Sequence, residues 1–226
     1  AISHAIDRKE ITDVIFQGTR TPAEDFTSPV IAGFDPSSIE GSDVLDYDVA
    51  KAKELWAQAD KISPWSGTFQ LAYNADGGHQ EWVDATVNSI KNSLGIDAVG
   101  LPYPDFKGLR TEVNDRTIKA AFRTGWQFDF PSDANILGAL YVTGSGSNDA
   151  DYSNPEFDKL FRAGLASPTQ EEQSKNFNEA QKYLFEDLPA IPLWYGAVTA
   201  GYSKLVEDVE YGWDSWPLLY QVTKSE

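Results

Sequence analysis

Between Phe69 and Leu101 the apolar pattern changes its period twice, and this restricts the fold more than any other feature of the chain. Phe69, Leu71 and Tyr73 alternate with Gln70 and Ala72, the period of a strand. Asp76-Gly77-Gly78 is a turn. Val83, Val87, Ile90 and Leu94 then recur at helical spacing, and Gly95 is the residue expected just past a helix end. Ile96 to Leu101 reads as a second strand. Strand, helix and strand within about thirty residues form a βαβ unit, with parallel strands and a right-handed crossover. Phe106, Leu109 and Val113 mark a further short helix. A third strand is expected at Thr117 to Phe122, where Ile118, Ala120 and Phe122 alternate with Lys119, Ala121 and Arg123.

That third strand runs into the stretch from Arg123 to Asp133, where Gly125 and Pro131 stop regular structure. Between them lie Trp126, Phe128 and Phe130 and the carboxylate of Asp129. Large aromatics and an acid on a loop leaving a strand end are a common setting for a ligand site. Asp129 reads either as a ligand for a cation or as a solvated or capping acid. Trp126 either walls a site or fills core. Arg123 follows the polar face of the strand, toward a cleft where it meets a carboxylate, or serves the structure. Phe128 and Phe130 flank Asp129 and alternate between cleft and core. Asp133 is expected as the N-cap of a helix carrying Ile136, Leu137 and Leu140.

Elsewhere, Ile2, Ile6, Ile11, Val14 and Ile15 give an apolar stripe over two helical segments, with Asp7 and Glu10 placed as a capping pair and Gly18 as the stop. Thr19 to Tyr47 holds three prolines and two glycines without periodicity, a long loop of the kind that is either functional or disordered; it is read as structural, with Phe26 and Phe34 as its anchors. Asp48 caps a helix with Ala52, Leu55, Trp56 and Ala59 on one side. Asn154 and Pro155 are a good N-cap and first helical residue, with Phe157, Leu160, Phe161 and Leu165 inward. Thr169 and Glu172 make a capping box for a helix that buries Phe177, Ala180 and Leu184. Leu188 to Tyr195 reads as a strand with Pro192 at its start or on an edge.

Charge and composition exclude more than they assign. A formal charge of −17 argues against nucleic acid and anionic membrane surfaces as partners. No apolar run approaches the ~20 residues of a membrane helix. Without cysteine there is no thiol chemistry, and with two histidines a multi-histidine metal site is not expected. His79-Gln80-Glu81 has no cysteine to complete a zinc site. The run Gly144 to Asn148 lacks the Lys-Ser/Thr ending of a phosphate loop, and no Gly-x-Ser-x-Gly elbow is present. No spacing singles out a catalytic pair among the 35 acids. No catalytic residue, cofactor or metal is assigned. The chain has no methionine and begins on residues with helical spacing, so a piece of a longer protein is expected.

Several strings together resemble a known family. Tyr47-Asp48-x-x-Lys51-Ala52-Lys53-x-Leu55, Gly125-Trp126-x-x-Asp129-Phe130 and Tyr152-Ser153-Asn154-Pro155-x-Phe157-Asp158 are similar to segments of the oligopeptide/dipeptide-binding proteins of ABC importers. The order Pro131-Ser132-Asp133 departs from the family's usual Asp-Pro or Glu-Pro. The resemblance implies an α/β (mixed α+β) fold of the type II periplasmic-binding-protein kind, one lobe with a central mixed sheet and flanking helices. Residues 1–197 would be the C-terminal lobe and 198–226 a tail returning to an N-terminal lobe of the same chain. The resemblance further implies a receptor outside the cytoplasm, lipid-anchored through a preceding segment, that encloses a peptide and delivers it to a membrane permease without chemistry. Asp129 would hold the free amino end of the peptide, with Trp126, Arg123, Phe128 and Phe130 around it. Another solute, such as an oligosaccharide or a metal chelate, and a secreted carbohydrate-active hydrolase or binding module are the alternatives.

Overall fold

The computed structural model describes residues 1–33 and 35–225. The chain opens with a 3-10 turn at Ser3–Ala5, a single α-helical turn α1 (Arg8–Glu10) and a π-helical turn at Ile11–Ile15. Asp7 caps α1 by accepting the Glu10 amide at 2.9 Å. The change of helix type alters which side chains face inward: Ile6 and Ile11 are buried, whereas Val14, expected in the same stripe, is 65% exposed. Arg8 is buried and ties two distant segments, at Leu45 and Pro192, to the opening turn. Its Nε donates to the Pro192 carbonyl (2.8 Å), Nη1 to the carbonyls of Ser3 (3.1 Å) and Leu45 (2.6 Å), and Nη2 to Ser3 Oγ (2.8 Å). An unpartnered guanidinium would be costly at this depth, so the five N–H donors of arginine suit the position.

The long segment that follows contains a short strand, β1 (Arg20–Pro22), and 3-10 turns at Pro36–Ser38 and Ser42–Leu45. Phe26 is buried as expected; Phe34 lies outside the described residues. Helix α2 (Val49–Ile62) starts at Asp48, whose side chain accepts the Lys51 amide. Ala52 is fully buried and Leu55 and Trp56 are partly so, but Ala59 is exposed, so the buried stripe ends after two turns.

The βαβ unit forms as the periodicity requires. Strand β2 (Phe69–Asn74), helix α3 (Gln80–Leu94) and strand β3 (Ala98–Tyr103) are followed by α4 (Phe106–Asn114) and β4 (Ala121–Phe122). The strand order is β3-β2-β4, and both pairings are parallel. In place of one mixed sheet, the parallel pairings gather here and the antiparallel ones lie in two separate two-stranded sheets. Leu71 and Tyr73 pack on Trp82, Val83, Val87 and Ile90 of α3. Ala72, on the other face, meets Leu109 and Val113 of α4. Gly95 ends α3 at φ +70°, a left-handed conformation that glycine adopts without strain. Strand β4 is shorter than the expected Thr117–Phe122. The segment before it is held to α4 by the amides of Thr117 and Ile118 on the Glu112 carbonyl, so only two residues reach the β2 ladder. Ile118, Ala120 and Phe122 still face the α4 cluster, as their alternation predicts.

Helices α5 (Asp133–Tyr141), α6 (Pro155–Leu165) and α7 (Gln170–Asp187) build a second core around Leu137, Phe157, Phe161, Phe177, Leu184 and Phe185. Asn154 Oδ1 accepts the amides of Glu156 (3.0 Å) and Phe157 (3.3 Å), and Thr169 Oγ1 accepts that of Glu172 (3.2 Å). Leu165, expected inward, is 55% exposed: its neighbour Gly164 is the residue of this turn that faces α7, and Leu165 points away. At Gly164 any Cβ would strike the ring of Phe177, so the two helices approach where α6 has no side chain. The strand expected over Leu188–Tyr195 is confined to β5 (Trp194–Gly196), which pairs antiparallel with β1, Arg20 opposite Gly196. Pro192 precedes it, consistent with the lost amide donor. The last segment carries two short antiparallel strands, β6 (Val206–Glu207) and β7 (Thr223–Lys224), and a bridge between Tyr211 and Pro217.

Candidate functional site

The carboxyl ends of β2 and β4 point toward one place, the position where open parallel sheets usually receive ligands. Arg123 follows β4 directly and donates its backbone amide to the Ala72 carbonyl at 2.9 Å. Its Nη1 reaches Asn74 Oδ1 at 3.4 Å, and its guanidinium lies 5.9 Å from the Phe106 ring. Arg123 Nε is buried without a hydrogen-bond partner among the described residues. Arg20 of β1 sits close by, its guanidinium 4.4 Å from the Phe16 ring. Burial first, and then the neighbouring Arg20 charge, lowers the Arg123 pKa. Burial, then Arg123 and Arg20, lowers that of His79. His79 is therefore neutral near pH 7. Its Nδ1 accepts the Trp82 indole N–H at 3.0 Å, which leaves the ring proton on Nε2. Two guanidiniums and an imidazole N–H thus stand at one strand end beside the carboxylate of Asp76, which accepts the Asn74 side-chain amide at 2.7 Å and whose charge acts on His79; the excess of positive charge suits an anionic group such as a carboxylate.

The aromatic loop after Arg123 is organised by a residue that sequence reasoning missed. Asn135, in the first turn of α5 and 6% exposed, uses Oδ1 to accept the Trp126 indole N–H (2.7 Å) and the Asp129 backbone amide (3.3 Å). Its Nδ2 donates to Asp129 Oδ2 at 3.3 Å. Trp126 and Asp129 are thereby tied to the helix that follows them, and the Asp129 carboxylate remains solvent-exposed. Asp133 is not the helix cap. Ser132 takes that role, its Oγ accepting the Ala134 amide at 3.3 Å, because Asp133 is drawn into the interior at 3% exposure. Burial, and then the charge of Asp25, raises the Asp133 carboxyl to about 7. Asp25 is itself buried and raised by burial, while Thr27 and the Tyr195 hydroxyl donate to it.

Phe128 and Asp129 line an open cavity of about 350 Å³, together with Gln127 and with Trp213, Asp214 and Trp216 of the tail. Phe130 is 49% exposed and Trp126 is partly buried; neither lines that cavity. Arg123 belongs to the strand-end group instead. The five residues singled out from sequence therefore fall into two neighbouring settings, one acidic and aromatic, the other cationic. Arg20, Asn74, His79 and Asn135 complete them, and the tail adds a wall that local patterns do not announce. Among the described residues no group of three or more His, Cys, Asp or Glu side chains is placed to hold a metal, and no helix is long and apolar enough to cross a membrane.

Residues 1–148 match the family described as bacterial extracellular solute-binding proteins, family 5 Middle. The oligopeptide-binding protein OppA of Bacillus subtilis is 26% identical over 200 residues, 86% of this chain and 36% of that protein. The periplasmic murein peptide-binding protein MppA of Escherichia coli is 28% identical over 201 residues, with the same shares. Heme-binding protein A of Haemophilus influenzae is 24% identical over 226 residues, 96% of this chain and 40% of its own length. The chain thus spans between about a third and two fifths of these relatives. Among solved structures, the unliganded open form of the murein tripeptide-binding protein MppA superposes with a TM-score of 0.77 at 23% identity, over 91% of this chain and 40% of that one. A peptide-binding protein of a peptide ABC transporter gives 0.72 at 24% identity, over 85% of this chain and 87% of that one. These likenesses establish the fold, that of the type II periplasmic binding proteins.

Proposed function

The chain belongs to the bacterial extracellular solute-binding proteins of family 5, and from that premise we propose that it is the second lobe of a two-lobed receptor that binds peptides outside the cytoplasm and delivers them to the permease of an ABC importer. In this reading residues 1–197 are the lobe, and residues 198–226 lead back to a partner lobe of the same polypeptide. A lipid anchor on a preceding segment would hold the receptor at the membrane. No bond of the ligand is made or broken.

The observation that carries the reading is the bracket formed by Asn135. It fixes Trp126 and an exposed Asp129 in one orientation before any ligand arrives. A peptide presents an ammonium at one end and a carboxylate at the other. Asp129 offers a counter-charge to the first, and Arg123 with Arg20 and the His79 N–H offers one to the second. Lobe closure would strip water from both charges and strengthen both contacts. Backbone groups of the peptide would add hydrogen bonds to extended segments of the lobe.

The test is a thermodynamic cycle measured by calorimetry on the two-lobed protein. Losing one partner of an enclosed charge pair costs about 2–5 kcal/mol, so Asp129→Asn should weaken a free-amino peptide roughly thirty-fold or more. The N-acetylated peptide should bind poorly to wild type and be hardly weakened further by the substitution. Equal damage to both ligands would mean that Asp129 shapes the loop and nothing more. A relative named for heme keeps a second solute class in view; titrations with heme and with an oligosaccharide panel, in the same calorimeter, separate it from peptides.

A further inference from the structure

The cavity beside Asp129 contains a second carboxylate, Asp214, and three aromatic side chains, Phe128, Trp213 and Trp216, with no lysine or arginine in its lining. Trp216 is 69% exposed and Trp213 44%, so both indoles present open ring surface. The turn that carries them is held in several ways. Asp214 Oδ1 accepts the Trp216 amide at 3.1 Å, the Gly212 amide donates to the Trp216 carbonyl at 2.8 Å, and Ser215 N donates to the Gly212 carbonyl at 3.0 Å. The turn is also tied to the site loop, because Gln127 Nε2 donates to the Asp214 carbonyl at 2.8 Å. Aromatic faces attract cations through their quadrupoles, most strongly for tryptophan, and a carboxylate at the rim adds Coulomb attraction.

We propose that this cavity receives the first side chain of the bound peptide and selects a cationic one, lysine or arginine. The inference rests on the peptide reading above. With the peptide ammonium on Asp129, the first side chain is the nearest group able to enter the cavity. Asp214 would face the charged end of that side chain, and Trp213, Trp216 and Phe128 would pack along its methylene stem and over its charge. The tail would then act as a selecting wall as well as a connection.

Calorimetry with Lys-Ala-Ala, Ala-Ala-Ala and Glu-Ala-Ala on the two-lobed receptor tests this. Wild type should prefer Lys-Ala-Ala to Ala-Ala-Ala by about tenfold, and should bind Glu-Ala-Ala more weakly than either. Asp214→Asn keeps an oxygen to accept the Trp216 amide but removes the charge. It should bring the preference for Lys-Ala-Ala over Ala-Ala-Ala within about threefold. Trp216→Leu should act in the same direction, with melting curves confirming that both variants are folded. The experiment runs at about 0.15 M salt, so that the long-range field of a chain that carries a net charge of −17 over these 226 residues is screened and the loss on substituting one acid reports contact. Equal affinities for Lys-Ala-Ala and Ala-Ala-Ala in wild type, or a preference that survives both substitutions, overturn the inference and leave the peptide reading standing. Failure of all three free-amino peptides to bind overturns both.

Discussion

Replacing Asp133 by asparagine should flatten the dependence of stability on pH. The carboxyl of Asp133 is buried next to that of Asp25, in the first turn of α5, and its pKa is raised from 3.8 to about 7. An acid whose pKa is raised on folding holds its proton in the native state over a range where the unfolded chain has lost it. The resulting stabilisation is complete below about pH 3.8 and is lost as the pH rises through about 7. Between pH 5 and pH 8 the loss amounts to about 2–3 kcal/mol, from linkage at about 1.4 kcal/mol per pKa unit. The assay is urea denaturation of wild type and Asp133→Asn at half-unit intervals across that window. The exposed acids are present in both proteins, and because the Asp25 and Asp133 carboxyls interact, the difference between the two curves reports the extra proton that this pair holds in wild type. Wild type should lose about 2–3 kcal/mol more than the variant from pH 5 to pH 8. A difference below about 0.5 kcal/mol would mean that Asp133 is ionised throughout and finds solvent or a counter-charge, and would refute a carboxyl shut in with Asp25.

Three other outcomes are expected. Asn135→Ala removes the acceptor of the Trp126 indole and the bracket on Asp129, so it should cost about 1–3 kcal/mol in chemical denaturation and shift the tryptophan emission to the red. Gly164→Ala gains up to about 1 kcal/mol of helix propensity, but its Cβ strikes the Phe177 ring, and the overpacking cost of about 1–3 kcal/mol should win in a thermal melt. Amides of Val206 and Glu207 in the tail should exchange with deuterium well before those of Leu71 to Tyr73, which lie in the central strand of the parallel sheet between α3 and α4; equal protection in a dilute monomer would make the tail part of the same cooperative unit.

Periodicity was enough for the βαβ unit because the faces of β2 and α3 are set by neighbours close in the chain. It overreached at β4, where Ile118, Ala120 and Phe122 face a core but the Thr117 and Ile118 amides bond the Glu112 carbonyl, and at β5, where Pro189 and Pro192 bring no amide and Leu188 bonds back to α7. Helix caps were legible where the side chain serves the nearest free amide, as at Asp7, Asp48, Asn154 and Thr169. Asp133 misled because Ser132 competes for the cap and a tertiary neighbour, Asp25, lies beneath it. The aromatic loop was recognisable by its composition. Its partners were not, since Arg20 and His79 reach Arg123 from 103 and 44 positions away, and Asn135 carries no mark of its role until Trp126 and Asp129 are seen converging on it. The tail wall belongs to the same class of long-range fact.

The clamp of Arg8 on Pro192 and the pairing of β1 with β5 bring the early and late parts of the chain to one spot. An antiparallel ribbon two strands wide flexes readily across its flat face but resists shear in its plane, because sliding one strand past the other breaks every bond of the ladder at once. Pulling the first helical turns away from the chain that follows Gly196 would therefore load the whole ribbon at once, with Arg20 on one of its strands.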